Sequence, residues 1–329
     1  MLTIGCKIII ISESTSKKIT FDYANAIEVV TSIADLTDTA VVKVSQKMQW
    51  RGQSIREFIN PGDSIEIQAG YEEYGYQTLF KGYLRKVETT KIPMELHCEN
   101  EMARLKGVML KPKIYKNFDL AQFFHENCPD VKVVSPATIN FGEVTVANEM
   151  SMAEFLNGLK QKYAYFKPLF IGNELYAISR TYTRADAKPI TLDPTRNIVS
   201  DNLTYIRKED VKVSVKATSI QKDNTKLEVT VPDDSKDATE NKHFYLPGYT
   251  DIKSLKEEAR KILDSFKCDK MIGTVTTFGV PYIRKCDIVL LHDEDHPERN
   301  NRKFTVNAVT YTISTSGYRQ KITLGDEIK

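Results

Sequence analysis

The sequence predicts an α+β fold that is mainly β: two tandem similar β-barrels with a small α+β insert between them. Three observations predict it. Strand patterns fill the first hundred residues and the last third of the chain. Helix patterns and a hairpin interrupt them in the middle. A turn followed by two strands occurs once in each outer part with matched spacing. The expected boundaries are 1–105 for a first β-barrel, 106–205 for an insert of helix and hairpin, and 206–329 for a second β-barrel carrying one helix.

The first part opens on Thr3–Ser12, which is rich in isoleucine and reads as a buried strand. Ile27–Thr31 and Ala40–Val44 follow as short β-branched runs. The turn Asn60-Pro61-Gly62-Asp63 precedes Ile65–Ala69, where apolar and polar residues alternate. Thr78–Val87 and Met94–Glu99 continue the meander.

The middle changes period. Asp119–Asn127 places Leu120, Phe123 and Phe124 on one side of a short helix, which Cys128-Pro129 ends. Ser151 and Glu154 make a capping-box pattern ahead of Met152, Phe155, Leu156, Leu159 and Tyr163 at helical spacing. Leu169–Ile171, a Gly172-Asn173 turn and Leu175–Ile178 form a hairpin.

The last third returns to strands at Val211–Ala217 and Lys226–Val231. Pro232–Lys242 holds no large apolar residue and reads as a solvated loop. A helix runs from about Ile252 to Phe266, with Ser254 and Glu257 as its expected box and Leu255, Ala259, Ile262, Leu263 and Phe266 as its buried stripe. Asp287–Leu291, Lys303–Ile313 and Tyr318–Leu324 close the chain. Asp63 is followed by Ile65 and Ile67 and then, 17 residues on, by Phe80; Asp287 is followed by Val289 and Leu291 and, 17 residues on, by Phe304. This echo is what suggests a duplicated barrel.

Length and charge exclude several classes. A chain of 329 residues is long enough for two or three domains with their own cores. With 46 Lys and Arg against 44 Asp and Glu, the net charge of +2 argues against a globally basic nucleic-acid coat and an acidic tail. Even the longest apolar runs, such as Ile8–Ile11, fall far short of the roughly 18 residues of a membrane span. The first residues lack the layout of a secretory signal, so a soluble chain made in the cytoplasm is expected. Cys6, Cys98, Cys128, Cys268 and Cys286 are scattered singly, which argues against a disulfide framework or zinc cluster and for buried thiols in the core.

Reaction centres are hard to find. The chain has no GxSxG, HExxH, GxxxxGK[ST] or GxGxxG pattern. His292-Asp293-Glu294-Asp295-His296 concentrates metal-ligand types, and His292, Asp293, Asp295 and His296 are the weak candidates for a divalent metal. Its place between two hairpin strands, running into Pro297–Asn301, favours a solvated loop. His97, His125 and His243 are isolated. His125 and Cys128 would need an orienting group to make a nucleophile, and helix-end packing is the favoured reading. Paired carboxylates for glycoside hydrolysis cannot be recognised from spacing. Lys111–Lys116, with Tyr115 among its lysines, could contact single strands, but near-neutral overall charge favours a solvated face. The 16 Tyr and 14 Phe point instead to interfaces. No catalytic residue and no cofactor are expected.

From Asp63–Ile67 through Leu79–Leu84 the chain resembles the GD-x-[VI]-x-[VI] … lF-x-G-x-[IL] signature of phage late control protein D and related baseplate hub proteins, a group related to the hub part of type VI secretion spike proteins. Ser151–Leu156 running to Phe170–Ile178 is similar to that family's helix and hairpin insert. Leu255–Phe266, Gly279-Val280-Pro281, Asp287–Val289, Phe304–Val306 and Gly317-Tyr318 through Leu324-Gly325-Asp326 follow in the family's order. One departure stands out: Lys285-Cys286-Asp287 replaces the family's Pro-Gly-Asp, which Pro61-Gly62-Asp63 keeps. The resemblance implies a structural hub of a phage or prophage-like tail, built as a homotrimer whose six barrels form a pseudo-sixfold ring joining tail tube to spike. Self, tube and spike or baseplate proteins are the implied partners, with no membrane and no sequence-specific nucleic acid. Pro232–Lys242 and His292–Asn301 are implied contact loops. The alternatives are a tail-associated cell-wall hydrolase and a surface-carbohydrate-binding tail protein.

Overall fold

The computed structural model describes residues 2–135, 139, 141–163, 166–178, 182–221, 225–234 and 238–328. The protein is mainly β, and the described residues include four α-helices: α1 (Met102–Leu105), α2 (Leu120–Asn127), α3 (Met152–Lys162) and α4 (Ile252–Phe266). None of the described helices is long and apolar enough to cross a membrane. The chain divides into two compact units, the first made of Met1–Arg104, Tyr182–Leu203 and Gly273–Lys329, the second of Leu105–Thr181 and Thr204–Ile272. The stretch expected as a second barrel, 206–329, is thus shared between them.

One 13-stranded sheet runs in the order Lys18–Phe21, Ile4–Ile11, Ser64–Tyr71, Gly75–Glu88, Met94–Glu99, Thr39–Val44, Ala26–Ser32, Arg302–Ser314, Gly317–Ile328, Lys270–Phe278 and Ile198–Ile206, with Ile288–Leu291 and Ile190–Leu192 branching off Arg302–Ser314. Strands from the two ends of the chain meet directly, Val309 opposite Thr31 and Tyr311 opposite Val29. No sheet closes among the described residues, so the expected pair of barrels is not seen as two closed cylinders. Ile4–Ile11 is not buried on both faces: Ile8 and Ile10 are fully inaccessible, while Ile11 is exposed. A half-buried antiparallel sheet requires that alternation, and the run of isoleucines conceals it.

The outer parts do share a repeated turn. The Asn60 N–H donates to Asp63 Oδ2 at 2.8 Å, and the Arg284 N–H donates to Asp287 Oδ2 at 2.8 Å. Gly62 N–H bonds Leu84 O and Leu84 N–H bonds Asp63 O, each at 2.8 Å. Cys286 N–H bonds Val306 O at 2.8 Å, and Val306 N–H bonds Asp287 O at 2.9 Å. Both carboxylates are 2% exposed, a burial that their hydrogen bonds make tolerable. The 17-residue echo, however, matches the wrong phenylalanines. Phe80 pairs with Ile67 and Arg302 with Leu291, so these are the equivalents; Phe304 corresponds to Gly82, which pairs with Ile65 as Phe304 pairs with Val289. The second hairpin is two residues shorter, and a shift of two keeps both phenylalanines on the buried face.

In the second unit Asp119 caps α2 through the Gln122 N–H at 2.7 Å. The Ser151–Glu154 box caps α3 in both directions, at 3.2 Å and 2.8 Å. At α4 the cap is Asp251, whose carboxylate accepts the Ser254 N–H at 2.8 Å; Ser254 lies inside the first turn, so the helix begins one turn before the expected Ser254–Glu257 box. Leu255, Ala259, Ile262 and Leu263 pack on Val213–Ile220 and Lys226–Val231 around Val215, Ala217 and Val231. Within Pro232–Lys242, residues 235–237 lie outside the described residues, and Glu240 onward is already a strand, Glu240–Tyr245, paired in parallel with Val213–Ile220.

Candidate functional site

The His292–His296 segment follows the Ile288–Leu291 strand. His292 N–H donates to Leu192 O at 2.9 Å, which holds the loop's start. Asp293 is the organising residue. Its carboxylate accepts His296 Nδ1 at 3.1 Å and the Arg299 guanidinium at 2.5 Å, and it receives the Asp295 N–H at 3.2 Å. Burial opposes ionisation of Asp293, but the His296 and Arg299 contacts outweigh it and hold the carboxyl below its ordinary range. Arg299 also reaches Asp201 at 3.1 Å, so it ties the loop to the Ile198–Ile206 strand. The structure therefore brings Asp293 and His296 together, places a guanidinium between them and Asp201, and sets His292 against Glu294 at 3.7 Å on the surface. Asp295 meets the group through its backbone N–H.

Among the described residues, the ligand atoms that converge within 4.8 Å belong to another set, Glu88, Glu95 and His97. Hairpin register puts them side by side, Glu88 opposite Glu95 and Lys86 opposite His97. Lysines already occupy the carboxylates: Lys91 bridges Glu88 at 2.6 Å and Glu95 at 2.7 Å, and Lys43 reaches Glu95 at 3.2 Å. Hydrogen bonds from Lys86 and Lys91 pull the Glu88 carboxyl down to about 2. The arrangement is a surface ion-pair lattice on the sheet.

His125 is exposed whereas the Cys128 thiol is buried at the α2 terminus, its backbone N–H on Phe124 O at 2.6 Å. Burial raises the thiols of Cys6 and Cys98 and pushes Cys286 up to about 11, which makes them poor nucleophiles at neutral pH. Cys268 departs from the expected core role: it follows the end of α4 beyond the helix's apolar stripe and is exposed.

Exposed apolar and aromatic side chains mark surface available for contact. In the first unit Ile92 is 86% exposed, and Tyr23 and Tyr74 are exposed by more than half. In the second unit Met109, Ile114 and Ile252 are likewise exposed. Ile114 lies in the Lys111–Lys116 segment, where the Lys113 ammonium sits 4.8 Å from the Tyr115 ring. Sequence reasoning gave Tyr23, Tyr74, Ile92 and Met109 no role, because the exposure of a single apolar side chain is set by packing that the local pattern does not fix.

This architecture, with its open mixed sheet and its second α+β unit, is the fold of phage tail and type VI secretion spike proteins. The chain is similar to the tail protein of Neisseria meningitidis, with a TM-score of 0.66, 13% identity and coverage of 98% of this chain and 97% of that one. It is similar to the 43 kDa tail protein of prophage MuSo2 from Shewanella oneidensis, with a TM-score of 0.63, 12% identity and coverage of 97% and 98%. It is also similar to a chain of the Francisella PdpA–VgrG complex, with a TM-score of 0.56, 11% identity and coverage of 99% of this chain and 58% of that one. No protein-family model matches the sequence, and no curated protein sequence does.

Proposed function

We propose that this chain is a structural baseplate hub of a phage or prophage-like tail, a non-enzymatic homotrimer whose pseudo-sixfold ring joins tail tube to spike. The observation that carries the reading is end-to-end likeness of fold to two tail proteins, each matched over nearly its whole length. The repeated Asp63 and Asp287 turns support the duplication that a threefold-to-sixfold adaptor needs, with two barrel-like halves per protomer. Tube, spike and baseplate proteins are the partners on this reading, and the virion tail is its location. Exposed residues such as Ile92 and Ile114 are suited to such contacts, as is the His292–Asn301 loop. Light scattering on the purified chain checks the assembly: a mass near three protomers is expected, with rings of sixfold outline and a central lumen in electron micrographs. A monomer that persists at high concentration and shows no rings overturns the reading.

A further inference from the structure

A groove of about 420 Å³ opens within the second unit, and the hub reading gives it no task. Its floor is the face of the three-stranded sheet that alternates with Val215 and Ala217, the residues packed on α4. Strand register sets Lys226 opposite Ile220, and places Glu228 and Tyr245 on either side of Thr218. Its wall is the second half of α3, which contributes Gly158, Gln161 and Lys162. Apart from Thr218 and half-buried Tyr245, every lining residue is exposed, so an occupant can reach it.

The charges in the groove are unequally served. Glu228 is met by Lys216 at 2.8 Å, and it accepts the Thr218 hydroxyl at 3.3 Å. His243 Nε2 lies 2.8 Å from the same hydroxyl. Lys162 and Lys226 differ, since no carboxylate among the described residues pairs with either. The Lys162 ammonium instead rests 4.4 Å from the centre of the Tyr245 ring and 5.4 Å from that of Tyr163. Partial desolvation lowers its pKa, a penalty that a bound carboxylate would offset. Gly158 supplies a second, independent observation. It lies inside α3, where glycine is a poor helix former. A Cβ there would meet nothing within 4 Å, so packing within the fold does not require glycine. Its bare backbone leaves the wall open to the close approach of another chain.

We propose that this groove binds an extended acidic peptide segment of a partner protein, whose backbone passes Gly158 and whose carboxylates meet Lys162 and Lys226. Three features select that class. The two unpaired ammonium groups are complementary to Asp or Glu side chains. Ile220, 38% exposed, offers a seat for one aliphatic side chain. Gln161 and Glu228 can serve the N–H and C=O groups of a peptide backbone. A peptide can place its carboxylates at the lysines and an N–H at Glu228. A nucleic-acid strand carries a phosphate at every step and finds no open ring to stack on, because Lys162 and Tyr163 crowd Tyr245.

An array of octapeptides varied at every position is probed with the labelled full-length chain, and fluorescence anisotropy measures the peptide that binds best. Peptides rich in Asp and Glu are enriched, and their binding weakens from about 50 to about 500 mM NaCl. Lys162→Gln combined with Lys226→Gln weakens the best peptide by about 3- to 30-fold. Gly158→Trp fills the groove from its wall and weakens the peptide by about 10-fold or more, while thermal unfolding is unchanged or raised because a poor helix former is replaced. The groove lies within one unit of one protomer, so these outcomes do not depend on whether the chain trimerises. An array without acidic enrichment overturns the proposal, as does equal affinity in the wild type and both variants. An oligothymidylate that binds more tightly than any peptide, and is lost in the same variants, overturns it in favour of a nucleic-acid strand.

Discussion

Replacing Lys285 with methionine strips a buried carboxylate of its counter-ion. Lys285 is 6% exposed and Asp38 is 8% exposed, and the Lys285 ammonium lies 2.5 Å from Asp38 Oδ2. Asp38 Oδ1 accepts the Ser32 N–H at 3.0 Å, which leaves Oδ2 alone once the ammonium is gone. Removing one partner of a buried pair costs about 3–5 kcal/mol, since the survivor stays charged in a poorly polarisable interior. For a unit of this size that lowers the unfolding temperature by on the order of 10 °C. The chain's one tryptophan, Trp50, lies in the first unit against the Phe58 ring at 4.9 Å, so its fluorescence reports that unit's unfolding. The companion variant Lys285→Met with Asp38→Asn neutralises both groups and keeps the acceptor for Ser32. It recovers stability to within about 1–2 kcal/mol of wild type. A single variant as stable as wild type refutes the reasoning, as does a double variant no better than the single one.

Three further outcomes follow from the same contacts. Because Asp293 titrates below its ordinary 3.8 in the folded chain, its contribution is present above that value and fades as pH falls through the folded one. Asp293→Asn is therefore less stable than wild type at pH 7, and urea titrations show the gap closing below about pH 4. Cys286 sits at φ +68°, in the left-handed region, where Gly62 sits at +101°. Cys286→Gly thus stays within about 1 kcal/mol of wild type, while Cys286→Val adds about 1–2 kcal/mol of backbone strain, read by Trp50 fluorescence. Ser151→Ala removes the hydroxyl that accepts the Glu154 N–H, keeps the backbone N–H that donates to Glu154, and costs the second unit about 1 kcal/mol, read by far-ultraviolet circular dichroism.

Local signals were legible where one residue type determines the geometry. The caps of α2 and α3, the Gly172-Asn173 hairpin and the Asp63 turn could be read because each depends on neighbours a few residues away. At the Lys285-Cys286-Asp287 departure every backbone hydrogen bond of the Pro61-Gly62-Asp63 turn is kept, because Cys286 accepts the positive φ. What stayed hidden depends on pairing over long distances. Lys270–Phe278 and Ile198–Ile206 were not anticipated: the second has no buried residue and the first only Met271, Val275 and Thr277, so partner strands define them. The metal loop was legible as a cluster of ligand types but not as an ion pair. Arg299, which neutralises Asp293, lies six residues further on, and the loop's turn is what brings it back.

The same long-range pairing governs how the first unit can form. Ala26–Ser32 has Thr39–Val44 on one side, and its other side stays open until Arg302–Ser314 arrives with the Tyr311–Val29 and Val309–Thr31 pairs. The Asp38–Lys285 contact spans a comparable stretch, 247 residues. Closing loops of that length costs entropy before any contact offsets it, so the N-terminal half of the sheet exposes an unpaired apolar edge during synthesis. Asp38 and Lys285 both need a polar partner when buried, and each finds it in the other. A neighbouring chain that adds a strand at that edge therefore meets an unpaired Asp38, whereas the chain's own C-terminal segment brings Lys285. The buried ion pair then selects the correct strand over a foreign one, at a cost in stability that a hydrophobic pair would not incur.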